Sequence, residues 1–169
     1  LLADKGFIGH EALDSFCHST GILGGHPDAT KVPGVEASTG ALGHGLPIGV
    51  GMALAARLQG RDSRVFVIMG DGEINEGSVW EAAMCATKHG LDNLVAVIDR
   101  NKLQSYGLTA EVLDLEPLAD KWRSFGFAVR EADGHDVASL REGFAAWPYE
   151  PGKPNLLICH TVKGRGIAK

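Results

Sequence analysis

Residues 65–101 read VFVIMGDGEINEGSVWEAAMCATKHGLDNLVAVIDRN. Two apolar runs, Val65-Phe66-Val67-Ile68-Met69 and Leu94-Val95-Ala96-Val97-Ile98, flank a stretch with helical spacing from Ser78 to His89. Short continuous runs rich in β-branched residues suit strands buried on both faces, and Gly90 is placed to end the intervening helix. The segment therefore predicts a strand, a crossover helix and a second strand parallel to the first.

The same alternation continues outward. Leu156-Leu157-Ile158-Cys159 reads as another buried strand and Ala128-Val129 as a weaker one, with helical patterns at Gly45 to Leu58, Pro117 to Phe125 and Val137 to Trp147. Gly45, Gly49 and Ala53 share four-residue spacing, and at Gly49 and Ala53 this implies a helix packed closely on its neighbour. The expected fold class is α/β, a mostly parallel sheet with helices on both faces, in one domain over residues 1–169. The 23 glycines fall at element boundaries and form no repeat.

Bulk properties narrow the function. A formal charge of −5 gives no basic footprint for nucleic acid or an anionic membrane, so neither is expected as a partner. Cys17, Cys85 and Cys159 lie far apart, form no CxxC pair and read as reduced core thiols. No run reaches membrane-spanning length and no signal peptide precedes the first helix-like stretch, which predicts a cytoplasmic protein. The chain opens at Leu1, so further residues are expected beyond its ends.

Each strand is followed by a polar loop: Gly70-Asp71-Gly72-Glu73, Asp99-Arg100-Asn101, Asp133-Gly134-His135-Asp136 and Thr161-Val162-Lys163-Gly164. In a parallel sheet these loops share the carboxyl edge, where ligands bind. Asp71 sits between two glycines, and one strand-helix-strand unit separates it from Asn101, so the two can end at neighbouring strand tips. A carboxylate, an amide oxygen and a backbone carbonyl form a hard donor set for Mg2+ or Ca2+, which phosphate oxygens and water would complete. Taken singly, each residue is an ordinary turn residue; their joint placement favours the metal. Upstream, Ser38-Thr39-Gly40-Ala41-Leu42-Gly43-His44-Gly45 is a glycine-rich approach to a helix start, suited to an anion.

The stretch GDGEINEGSVWEAAMCATKHGLDNLVAVIDRNKLQ resembles the GDG-to-Asn signature of thiamine diphosphate enzymes in its transketolase form. The similarity extends through GGHPDATKVPGVEASTGALGHGLPIGVGMALAARL, ADGHD and TVKGRGI, nearly the whole chain. It implies that Asp71, the Asn101 side chain and the Leu103 carbonyl bind the metal. Gly70, Asp71, Gly72 and Asn101 would form the diphosphate site, with Gly72 letting backbone approach the anion. Gly40 and Leu42 match cofactor contacts, and Lys163 matches a lysine near the cofactor.

By the same resemblance, His26 in Gly25-His26-Pro27-Asp28 faces cofactor and substrate. Glu76 belongs to a carboxylate network between paired active sites, and Glu81 lies near a subunit interface. Glu73 has no assigned chemistry and reads as a first-turn helix acid, while His135 reads as part of a turn and helix cap.

The implied activity is thiamine diphosphate-dependent transfer of a two-carbon ketol unit from a ketose phosphate to an aldose phosphate. The glutamate such enzymes place against the aminopyrimidine comes from a pyrimidine-binding domain absent from this chain. A carboxy-terminal transketolase subunit is the expected partner, in a dimer of heterodimers, and a truncated single-chain enzyme would look the same. The Ser78 to His89 helix, with Val79, Trp80, Ala83 and Met84, is expected to leave apolar surface for that partner. Open alternatives are another thiamine diphosphate carboligase, such as a 1-deoxyxylulose-5-phosphate synthase, and a non-catalytic assembly subunit. A nicotinamide domain fits less well, because no acidic ribose-binding residue follows the glycine-rich turn at the usual distance.

Overall fold

The computed structural model describes residues 1–167. The chain divides into two compact units, Leu1–Leu42 and Gly43–Lys169. The first is mostly irregular, with one 3-10 helix at His10–Ser15. In it Thr39 N–H donates to the Pro27 carbonyl at 3.4 Å and Ala29 N–H to Ser38 Oγ at 3.0 Å, tying the two ends of the 27–39 loop together.

The second unit is the α/β layer structure. Its elements are α1 (Gly45–Leu58), β1 (Val65–Gly70), α2 (Gly77–Lys88), β2 (Leu94–Arg100), β3 (Leu103–Gln104) and β4 (Gly107–Leu108). These are followed by α3 (Thr109–Val112), α4 (Leu118–Ser124), β5 (Ala128–Asp133), α5 (Val137–Ala145) and β6 (Asn155–His160). The main sheet has the order β1-β2-β6-β5, with every neighbouring pair parallel, while β3 and β4 form a small antiparallel hairpin. Among the described residues no helix is long and apolar enough to cross a membrane.

Strand periodicity divides the core. Leu94, Ala96 and Ile98 point with Val67, Met69, Leu156 and Ile158 into a cluster closed by residues of α1, α2 and α4. Val95, Val97, Leu157 and Cys159 face the other way, against Leu140 of α5 and Trp147. Helices therefore cover both faces, as the alternation requires. Val67 Cγ2 would lie 2.3 Å from a Cβ at Gly49, so that helix position must stay a glycine for α1 to seat on β1. Trp122 fills the centre of the first cluster, with Trp80 and Phe127 ring centroids 5.1 and 4.9 Å away.

Three expectations need correction. β1 is not buried on both faces: it is an edge strand, and Phe66 and Ile68, the latter 76% exposed, lie on the face where α5 covers the other strands. The apolar surface that α2 leaves is smaller than expected, because α2 packs on α1 and α4 as well as the sheet. Val79 and Ala83 are fully buried, Trp80 stacks on Trp122 and Phe125, and only Met84, 56% exposed, remains outside. The cysteines are not all core thiols, since Cys17 and Cys85 are exposed and Cys159 alone is buried.

Candidate functional site

The parallel sheet brings the four strand-end loops to one edge, and hydrogen bonds lace them together. Asp71 N–H donates to the Asp99 carbonyl at 3.2 Å and Thr161 N–H to the Arg100 carbonyl at 3.2 Å. Gly134 N–H donates to the His160 carbonyl at 2.9 Å, and Thr161 Oγ1 donates to Asp99 Oδ1. Val162 N–H donates to His135 Nε2 at 2.7 Å, which requires the neutral imidazole with its proton on Nδ1. His135 thus anchors the loop carrying the exposed Lys163, beyond its expected place in the turn, where Asp136 supplies the cap of α5.

Asp71 is the centre of this edge. Its carboxylate is 1% exposed. Oδ1 accepts from Gly72 N–H at 2.8 Å, and Oδ2 accepts from Lys102 N–H at 2.6 Å and from Arg100 Nη1 at 3.2 Å. The Lys102 bond brings the 101–103 segment against the carboxylate from the neighbouring strand. Asn101 Oδ1 accepts from Leu103 N–H at 2.9 Å, the turn geometry its residue type favours. Asp71 and Asn101 therefore lie on adjacent strand tips, as their spacing implied, and Leu103, which the resemblance added, follows Asn101 at the start of β3.

The donor chemistry suits a hard divalent ion and an anion. It comprises one carboxylate from the end of β1, and one side-chain amide and a backbone carbonyl from the segment that follows β2. Among the described residues no group of three or more His, Cys, Asp or Glu forms a metal cluster, but this donor set draws on a single carboxylate. Nothing lies within 4 Å of a Cβ placed on Gly70, so the loop has open space there. At Gly72 the reason for glycine is internal, because a Cβ would meet Gln104 Cβ at 2.6 Å and Oε1 at 2.9 Å. Gln104 Nε2 is buried without a hydrogen-bond partner. An orphaned amide donor beside this loop fits an anionic oxygen, which would repay its desolvation.

Three residues that matter here were not predicted. Gln104 was outside the anticipated set. Arg100 had no role beyond membership of a polar strand-end loop, yet it is 6% exposed, paired with Asp71 and, through Nη2, with Glu116. Burial alone would lower its pKa, but the bonds to Glu116 and then to Asp71 outweigh this and hold the guanidinium above its ordinary value. Glu116 lies below the usual carboxylate range, first because it accepts Leu118 N–H and then because of Arg100. Glu73 is more than a first-turn acid. Its Oε1 accepts from Gly43 N–H at 2.9 Å and its Oε2 from Gly70 N–H at 3.3 Å, joining the start of α1 to the tip of β1. The stem of Glu76 packs on Gly43, where a Cβ would sit 2.6 Å from its own, and Glu81 is exposed on α2.

His26, Gly40 and Leu42 belong to the first unit. His26 is exposed, and its ring lies against Gly40: a Cβ there would stand 2.0 Å from His26 Cδ2, on a backbone with φ of +140°. Only glycine serves at position 40 while the imidazole keeps this place. Leu42 is 60% exposed. An open apolar cleft of about 410 Å3 between Trp80, Leu113 and Phe125 contains none of the expected site residues.

Comparison with known proteins accords with this arrangement. Residues 6–169 match the family model described as transketolase, thiamine diphosphate binding domain. An apulose-4-phosphate transketolase subunit of Phocaeicola vulgatus is 49% identical over 99% of this chain and 59% of its own length. The 6-deoxy-6-sulfo-D-fructose transketolase subunit SqwG of a Clostridium species is 41% identical over 99% of the chain and 61% of its own length. Among solved structures, transketolase from Campylobacter jejuni superposes with a TM-score of 0.85 at 30% identity, covering 93% of this chain and 26% of that one. The chain thus spans about three-fifths of the length of these two curated relatives. Matched along nearly its whole length, with the GDG loop and Asn101 on neighbouring tips of a parallel sheet, the chain belongs to the transketolase family through its thiamine diphosphate-binding domain.

Proposed function

We propose that this chain is the amino-terminal, cofactor-binding subunit of a split transketolase. It would transfer a two-carbon ketol unit from a ketose phosphate to an aldose phosphate in the cytoplasm. The observation that carries this reading is Asp71, buried at a strand tip and bonded to the Lys102 amide, which gathers a carboxylate, an amide oxygen and a carbonyl on one rim. Two relatives of 49% and 46% identity are each named as one subunit of an apulose-4-phosphate transketolase, which supports a phosphorylated ketose donor and a second, partner chain.

Asp71, Asn101 Oδ1 and the Leu103 carbonyl would hold Mg2+ or Ca2+. Gly70, Gly72 and the Gln104 amide would receive the diphosphate, with Gly40, Leu42 and Lys163 as further contacts. When bound, thiamine diphosphate supplies a carbon nucleophile and an electron sink for carbon–carbon cleavage. His26 donates to substrate oxygens that gain negative charge, and Glu76 joins a carboxylate network between paired sites. The partner supplies the pyrimidine-binding domain and its glutamate, in a dimer of heterodimers.

The test is an assay of this chain with thiamine diphosphate, magnesium, a ketose phosphate and an aldose phosphate, before and after addition of the polypeptide encoded beside it. Ketol transfer is expected only with both. Full turnover by this chain alone would refute the split site.

A further inference from the structure

Arg100 has no place in the proposed ligand set, yet its charge lies against the central ligand. The guanidinium is 6% exposed and its fork is shared. Nη1 donates to Asp71 Oδ2 at 3.2 Å and Thr109 Oγ1 at 3.3 Å, while Nη2 donates to Glu116 Oε1. Guanidinium keeps its proton in proteins, so a full positive charge stays beside the carboxylate. Oδ2 already takes two donors, Lys102 N–H and Arg100, whereas Oδ1 takes only Gly72 N–H. Two consequences oppose each other. The ion pair holds the Asp71 side chain in one orientation, with Oδ1 the less committed oxygen. The same cation repels a divalent ion that approaches Asp71. Glu116 sits on the other arm of the fork and returns a negative charge, and its second oxygen is fixed by Leu118 N–H at 2.9 Å.

We infer that Arg100 is a positioning residue for Asp71, and that Glu116 is the counter-ion that keeps the Arg100 charge from weakening divalent-cation binding at Asp71. This rests on the metal reading proposed above. It also assigns a purpose to a salt bridge whose acid is half-exposed and would otherwise contribute little.

The experiment titrates Mn2+ into the full-length protein at fixed thiamine diphosphate, reading free ion by electron paramagnetic resonance, with circular dichroism as a fold check. Glu116→Gln preserves shape and should weaken Mn2+ binding about tenfold, in keeping with loss of a charge-assisted partner. On an Arg100→Met background the same substitution should change affinity less than about twofold, because no cation is left to offset. On an Arg100→Lys background it should weaken binding again. Unchanged affinity in Glu116→Gln, or equal weakening on the Arg100→Met background, overturns the counter-ion role. Asp71→Asn separates the two levels. If it abolishes Mn2+ binding while Glu116→Gln has no effect, only the role of Glu116 fails. If Asp71→Asn leaves binding intact, the metal reading falls and this inference with it.

Discussion

Replacing Asp71 by alanine should damage the fold before any cofactor is added. The carboxylate is 1% exposed and accepts three donors: Gly72 N–H at 2.8 Å, Lys102 N–H at 2.6 Å and Arg100 Nη1 at 3.2 Å. Alanine leaves two amides short of partners, each costing about 1–3 kcal/mol where water cannot reach. It also removes one of two carboxylates from a buried guanidinium, a change that costs about 3–5 kcal/mol when the cation is left unpaired. Because Glu116 still holds Arg100, and because the opened space admits some water, the net loss should fall near ~3 kcal/mol. That is a large part of the roughly 5–15 kcal/mol a domain has in hand. Urea unfolding followed by tryptophan fluorescence is a direct assay, since Trp80 and Trp122 are packed in the main core. The expected result is a lower midpoint with an unchanged slope, in buffer without thiamine diphosphate or metal. A loss below about 1 kcal/mol would mean that Asp71 is not the knot joining the two strand tips.

Further outcomes follow from the same geometry. Gly72→Ala should push Gln104 from its place, because the new Cβ would lie 2.6 Å from Gln104 Cβ, and should destabilise by about 1–3 kcal/mol in thermal unfolding. Gly40→Ala should displace the His26 ring, so turnover of the complete enzyme should fall as in His26→Ala, and the double variant should be little worse than either. Independent, multiplied losses would contradict this coupling. Glu116 has a depressed folded-state pKa, so its contribution is present above the unfolded value and is lost as pH falls through the folded one. Stability should therefore decline below about pH 4, and Glu116→Gln should flatten that slope in urea titrations.

Most of the architecture was legible because it depends on periodicity. The helix expected from Gly45 to Leu58 occupies Gly45–Leu58, and the buried run 94–98 became a central strand. β5 was seen only as Ala128-Val129 because it is the other edge strand, and its exposed Arg130 and Glu131 break the apolar run that marks a buried one. The edge position of β1 was hidden for a related reason: Phe66 and Ile68 are apolar, and only the strand order reveals that Ile68 is left 76% exposed while Phe66 is half-covered, edge-on, by Phe144 of α5. The β3–β4 hairpin, two residues a side, is too short to leave a periodic signal.

At the candidate site, Asp71 and Asn101 could be found because they follow apolar runs, and strand-helix-strand connectivity brings their tips together. Arg100 could not. Its partners lie 29 residues before it and 16 after it, and nothing local distinguishes a buried, paired arginine from a solvated one. Glu73 was missed similarly, since its bond to Gly43 spans 30 residues and depends on how α1 enters the sheet.

The central claim is that Asp71 and its neighbours bind diphosphate through a divalent ion. Calorimetric titration of thiamine diphosphate into the full-length protein, with magnesium and then with excess chelator, tests it most directly, with Asp71→Asn as the paired variant. Saturable binding is expected with magnesium, and its loss both in chelator and in Asp71→Asn. Binding of equal strength in chelator, or in a folded Asp71→Asn protein, would contradict it.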